Sequence, residues 1–594
     1  MGQAAPEPAR RRRRLIGWSV LGLLVVGVAA GVWLVERVLL VRSELASVAA
    51  LRSDVVDALG QGGLSGLDET VAEFDAHASR AAEATEAPVW RVAEWVPFVG
   101  PNLSAVRTVS ESLDRLSDEV ATPLASLAGG LAERGLLDDG AVDVDFLAAA
   151  HAPVVEAAAA LADTERRLVD VKRSQLIGEV ADGVTDLEQL VTTLSDAVDG
   201  LAGVTAVLPR MLGSDEPRSI LVMLQNNAEL RSGGGITGSF AEIEARDGVL
   251  RLARQADSSD FGGLEPPDVA VPASTSALYG DIVGRFVQNA TTTPDFALSA
   301  ELASGWWARL TGRAPDVVVA IDPLVLRALL DVTGPIDVGR GLTLRHERFV
   351  REVLVDPYFT LDSREQTRYF QRLTKRYFEA VLTSTAPPEA WITALQAPIE
   401  QGRISVWSSH EDEAALLAGS ALGGPLARHN AAGEGAFAVY LNDTTGAKMD
   451  SALEVKLGSA VGTCRADEQP QVAVRVRLTN TAPADAGTAW PASMTGDGHW
   501  GVPPGQIGTA VAVSAPKGWF FGGTTVDGDR VATIDVADAG VPTSAVEVTL
   551  EPGDSADVEM RFVAPTRDAV EPTLLHTPLL RAPETTALTS LSCE

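Results

Sequence analysis

Cysteine is nearly missing from this chain: Cys464 and Cys593 are the only two among 594 residues. With no Cys-x-x-Cys pair and no Cys/His ligand spacing, a structural zinc site is not expected. Histidine is scarce as well, with seven scattered residues, and Gly-x-Ser-x-Gly and His-Glu-x-x-His strings are both lacking. Nothing therefore recommends a nucleophile or a hydrolytic triad, although such partners meet only in the fold. Positive charge is the third shortage: 48 Lys and Arg face 80 Asp and Glu, giving a net charge of −32. Setting aside the arginines at Arg10 to Arg14 leaves the remainder more acidic still, which excludes nucleic-acid binding through a general basic surface.

Those five arginines run straight into the uncharged stretch 15–35. Twenty-one residues at about 1.5 Å each match the roughly 30 Å of a bilayer core. Basic residues stay on the cytoplasmic side, so a 1–14 cytoplasmic tail, a 15–35 transmembrane helix and an extracytoplasmic remainder are expected. A signal peptide is the competing reading, but the run is long, lacks an Ala-x-Ala closure and ends at Glu36-Arg37. The expected location is the plasma membrane, single-pass, amino terminus inside. Fourteen residues leave no room for a cytoplasmic catalytic domain.

Beyond the membrane the expectation is a multi-domain α+β chain in three parts. Residues 36–212 carry apolar residues three and four apart, as in Leu113, Leu116, Val120 and Leu124, which predicts a helical stalk or bundle. Breaks fall at Gly60 to Gly63, Pro97 to Pro101 and Gly129 to Gly140. The segment Trp90 to Asn102 (WRVAEWVPFVGPN) reads either as a bilayer-surface element or as an ordinary corner between helices. Residues 213–428 mix strands (Ser219 to Leu224, Ser239 to Ala245, Val317 to Ile321) with helices (Leu298 to Leu310, Pro323 to Val332, Glu347 to Asp356, Ser363 to Leu382), predicting an α/β core. Residues 429–594 hold short alternating strands at Val472 to Leu478, Ile507 to Val513, Ala545 to Leu550 and Ala556 to Val563, predicting a β-sandwich. Cys464 and Cys593 bracket almost all of it and allow one disulfide, two unrelated thiols being the alternative.

Candidate site residues cluster in the core. Gly233, Gly235 and Gly238 form a Gly-x-Gly-x-x-Gly string, but the next segment alternates like a strand, so a dinucleotide site is not expected. The glycines serve a tight turn, or expose amides to an anion. Arg231 beside them suits a phosphate or carboxylate. Arg254, Asp257, Asp260, Asn289 and Asp295 follow; Asp257 and Asp260 are hard oxygen ligands of the kind magnesium uses, and ordinary loop caps look the same. Arg364, Arg368, Arg372 and Arg376 repeat every four residues beside Lys375, a stripe for an anionic polymer or lipid head groups, or a solvated face paired to local acids.

The runs LVMLQNNAELRSGGGITGSF, VQNATTTPDF and VVVAIDPLVLRALLDVTGPIDV resemble the bacterial family known as domain of unknown function 4012. WRVAEWVPFVGPN, YLNDTTGAKMD and GVPPG look like its flanking signatures in actinobacterial envelopes. The family has no assigned activity. The core is more distantly similar to the LytR-CpsA-Psr transferases, which move glycopolymers from polyprenyl pyrophosphate to the cell wall: Val317 to Val338 matches their strand, helix and strand, Arg231 begins their RSDT-like motif, and Asn289 falls near their lysine-isoleucine-asparagine motif. Gly233 replaces the expected acid, and the SIPRD-like motif reduces to Arg254 and Asp257. That resemblance implies a shared fold more than a shared activity. Two functions remain open: a non-catalytic envelope module binding a cell-wall glycopolymer, a lipid-linked precursor or a protein, and a divergent phosphotransferase using magnesium.

Overall fold

The computed structural model describes Trp18 and residues 28–51, 67–138, 140–339, 341–586 and 589–591. The expected span 15–35 lies mostly outside the described residues; 28–51 form one helix. The expected break at Gly60 to Gly63 also lies outside them, as does Cys593. The chain divides into two compact units, one taking in residues up to Arg134 and Phe146–Ala206, the other Gly135–Asp145 and Val207 onward.

The first unit is helical. Helices Leu67–Thr85, Gly100–Leu116, Thr122–Arg134, Val144–Val169 and Gly178–Met211 bury apolar stripes such as Leu113, Leu116, Val154, Leu161, Leu187 and Val191 in one core. Val144–Val169 and Gly178–Met211 are long and apolar enough to cross a membrane. Their burial in the bundle accounts for part of that apolar character. The helical unit ends near Ala206, inside the last helix, where the sequence placed the boundary at 212.

In the second unit, β2 (Ile236–Arg246) runs antiparallel between β1 (Arg218–Asn226) and β3 (Val249–Asp257). On the other side of β1, β4 (Val317–Ile321) pairs in parallel, from Ile220 with Val317 to Leu224 with Ile321. β5 (Ile404–Ser408) closes that edge antiparallel, and a small hairpin at 137–142 touches β3 at Val249. Helix caps explain the chain's entries: Asp322 accepts the amides of Leu324 and Val325 ahead of Pro323, and Asp362 with Glu365 forms a reciprocal capping box for Ser363–Leu382.

The sandwich packs β6 (Ala436–Asp443), β9 (Ile507–Ser514), β11 (Ile534–Asp538), β12 (Val541–Leu550) and β14 (Thr573–His576) against a sheet containing β7 (Leu453–Gly462), β8 (Gln471–Asn480), β10 (Phe520–Val526) and β13 (Ser555–Val563). β6 is buried along its whole length. Phe437, Val439 and Leu441 point into the sandwich, while Ala438 and Tyr440 join Met223, Phe240 and Trp307 in the core of the α/β layer. One strand thus supplies two cores, and the α/β part and the sandwich fall within one compact unit. Cys464, after β7, is disulfide-bonded.

Candidate functional site

The polar turn between β1 and β2 is folded on itself. Gly234 takes φ +129°, a Cβ at Gly235 would stand 2.3 Å from the Asn226 carbonyl, and the amides of Gly233 and Gly234 donate to the carbonyls of Thr291 and Arg231. The glycines therefore serve close backbone approach, and two of their amides are spent inside the protein. Arg231 is buried at its side: Nε and Nη2 donate to Asn289 Oδ1 at 3.1 and 2.9 Å, Nη1 to the Leu230 carbonyl at 2.7 Å, and Nη2 to Glu229 at 3.2 Å. Lys448 reaches the other oxygen of Glu229 at 3.2 Å and lies over the Tyr358 ring.

Three carboxylates and two cations thus share one buried cluster, Glu229, Asp443 and Asp450 with Arg231 and Lys448. Burial and the charge on Glu229 push the Asp443 carboxyl up to about 6, against the pull of Arg231. Burial and Asp443 raise Asp450 well above the carboxylate range. Burial works against the Lys448 ammonium, but Glu229 and Tyr358 outweigh it and hold its pKa above the ordinary value. Alongside, Asn227 and Arg403 both donate to buried Asp322. The sequence pointed to Arg231 and Asn289, which the fold joins, but not to Glu229, Tyr358, Asp322, Arg403, Asp443, Lys448 or Asp450. The signal available was YLNDTTGAKMD, dense in charge directly after an apolar strand.

A cleft of about 310 Å³ opens at the carboxyl ends of β1, β3 and β4, the usual ligand position in an open α/β sheet. Gln225, Thr237, Asp257, Ser258 and Lys448 line it together with Leu326, Val353, Phe370 and Leu373. Gln225 Nε2 and Thr237 Oγ1 are buried without a hydrogen-bond partner, and a Cβ at Gly238 would meet nothing within 4 Å. The cleft is amphipathic and has room.

The helix Ser363–Leu382 walls this cleft with Gln366, Thr367, Phe370, Leu373 and Thr374. Its other flank, with β3, forms an open groove of about 710 Å³ lined by Arg251, Arg254, Arg368, Arg372, Lys375 and Phe378. Two predicted features that lie more than a hundred residues apart, Arg254 and the arginine stripe, therefore meet on one surface. Arg376 and Lys375 reach Glu379, and Arg254 stands 3.8 Å from Glu242. Among the described residues no carboxylate pairs with Arg364, Arg368 or Arg372, and Arg372 Nε is buried without a partner.

The magnesium ligands suggested by the sequence do not converge. Asp257 Oδ1 accepts the Ser259 amide and Asp260 Oδ2 accepts the Asp257 amide, a capping box on the turn Ser258–Phe261. Asp295 caps the helix Phe296–Thr311 through the Leu298 amide, and burial raises its carboxyl. Among the described residues no group of three His, Cys, Asp or Glu is placed to hold a metal ion. These residues do not fit a magnesium site.

Residues 215–358 match the family model described as Protein of unknown function (DUF4012). The match runs from the start of β1 to Tyr358 and so takes in the polar turn, β2 to β4 and much of the cleft, supporting the resemblance carried by LVMLQNNAELRSGGGITGSF and VQNATTTPDF. No curated protein matches the chain.

Proposed function

We propose that this chain is a plasma-membrane-anchored, extracytoplasmic protein of the cell envelope that binds a lipid-linked, anionic glycopolymer precursor without transforming it. The observation that carries the reading is the groove of Arg251, Arg254, Arg368, Arg372 and Lys375 in a chain whose net charge is −32. In so acidic a surface, a concave cationic strip concentrates the potential that attracts phosphate. Arg251 and Arg254 pair with Glu244 and Glu242, while the guanidinium groups of Arg368 and Arg372, which no carboxylate among the described residues pairs, supply the forked donors that phosphate oxygens take. The amphipathic cleft on the other flank of the same helix suits the apolar portion of such a molecule. The arginine run before 15–35 supports the anchor and its orientation.

The phosphotransferase alternative, with its LytR-CpsA-Psr likeness, has less support. Arg231 spends its donors inside the protein, on Asn289 Oδ1, the Leu230 carbonyl and Glu229, and Asp257 and Asp260 cap a turn. Phosphoryl transfer depends on such groups being aimed at one substrate.

The test is binding of a fluorescent polyprenyl phosphate to the full chain in detergent, with neutral polyprenol as the comparison. Reversal at Arg254→Glu, Arg368→Glu and Arg372→Glu together is expected to weaken the phosphate at least about tenfold, or about 1.4 kcal/mol. Equal binding by wild type and variant, or equal affinity for the neutral alcohol, overturns the reading.

A further inference from the structure

The helical unit carries an apolar tip that its own core does not use. Trp90 of WRVAEWVPFVGPN is buried, with Nε1 on the Leu103 carbonyl, and anchors a cluster with Val41, Ala84, Ala93 and Leu103. Most of the segment's other large apolar side chains are exposed. Trp95 is 89% and Phe98 91% exposed, flanked by exposed Val92, Val96 and Val99. This arrangement is built, since Phe98 takes φ +66°, a left-handed backbone that bulky residues avoid. The turn closes through the Gly100 amide on the Val96 carbonyl, and a Cβ at Gly100 would run into the Glu94 carbonyl.

Two further observations say what covers the tip. Leu34 and Leu40 pack against the Trp90 cluster, so the tip sits where the apolar run 15–35 gives way to Glu36 and Arg37. The turn after Val144–Val169 is tied to the same end, because Asn102 Oδ1 accepts the Ile177 amide at 2.8 Å, and it adds exposed Val169, Lys172 and Ile177. Aromatic rings, aliphatic side chains and a flanking lysine at the exit of a span are the composition of a bilayer interface. A patch of this kind on a folded protein marks an interaction surface.

We infer that the Trp95 and Phe98 tip inserts into the outer interface of the bilayer that holds the anchor, giving the helical unit a second membrane contact. This rests on the anchor proposed above. The chain is reconstituted into phosphatidylethanolamine and phosphatidylglycerol vesicles with single cysteines labelled by an environment-sensitive dye, at Phe98→Cys, Ile177→Cys or Val155→Cys, the last on the exposed flank of Val144–Val169. Brominated lipids are expected to quench positions 98 and 177 at least about twofold more than 155. Co-flotation with vesicles while 98 is quenched no more than 155 overturns the tip and leaves the anchor standing. Failure to float removes the anchor and the tip with it. A blue shift at 98 that grows with protein concentration without lipid assigns the patch to a second protein molecule and overturns the inference.

Discussion

Arg231 and Asn289, 58 residues apart, are joined by two hydrogen bonds from one guanidinium edge to a single amide oxygen. The pair closes the glycine turn against the helical segment that holds Thr291, whose carbonyl accepts the Gly233 amide. An arginine beside a glycine loop is thus a structural tie, and its partners are internal.

Removing that tie should unfold the turn and leave the groove's chemistry alone. Arg231→Met is expected to cost about 3–5 kcal/mol, because Glu229 and Asp443 would stay buried with only Lys448 beside them. Arg231→Lys should recover little, since one ammonium cannot reach Asn289, the Leu230 carbonyl and Glu229 together. Chemical unfolding of the full chain in detergent measures both.

The glycines should separate cleanly by role. Gly235→Ala places a methyl against the Asn226 carbonyl and should lose at least about 1–3 kcal/mol. Gly238→Val enters open space at the cleft and should change stability by less than about 1 kcal/mol while weakening polyprenyl phosphate several-fold. Thermal unfolding and the binding assay read the two effects separately.

Asp443 predicts a pH dependence with a definite sign. Its carboxyl rises from 3.8 to about 6 in the folded chain, so the folded state holds a proton that the unfolded state has released. Stability from this residue is then greatest below about pH 4 and falls as pH rises to about 6. Wild type should lose stability relative to Asp443→Asn across that window and run parallel to it above. Unfolding midpoints from pH 4 to 8 for the two proteins test it.

Salt should discriminate the basic groove from the cleft. Phosphate binding through Arg254, Arg368 and Arg372 should weaken between about 0.05 and 0.5 M salt, because the groove is open and its charges are screened. The triple charge reversal should flatten that dependence. Titrations at several ionic strengths report the slope.

Legibility in the sequence followed locality. Val317–Ile321 and Ser363–Leu382 are legible to the residue, the first as a run of apolar, mostly β-branched residues, the second as a helical pattern whose start the structure shows to be fixed by the Asp362 and Glu365 capping box. β3 was not seen: a register shift between Glu242 and Ile243 sits beside Arg251 to Asp257, and its charges read as a loop. Arg231 looked like a ligand anchor because its true partners, Asn289 and the Asp443 carbonyl, lie 58 and 212 residues away. The arginine stripe was visible from its period of four, whereas its meeting with Arg254 required the strand that went unread.

The fully buried strand β6 has a consequence for synthesis. The turn after β1 draws its compensation from far downstream: Asn442 bonds Ser232, Asp450 takes the Leu230 amide, Asn227 donates to the Pro578 carbonyl and Thr577 to the Ser232 carbonyl. Asn227 leaves the ribosome 351 residues before Pro578 can reach it, and the Thr577 bond spans 345 positions. Until then the α/β layer carries a charged turn without its acids and a hydrophobic face without Ala438 and Tyr440. The nascent α/β layer is therefore expected to need protection from aggregation, and a stop codon placed between β1 and β14 is expected to leave that layer unable to complete its core.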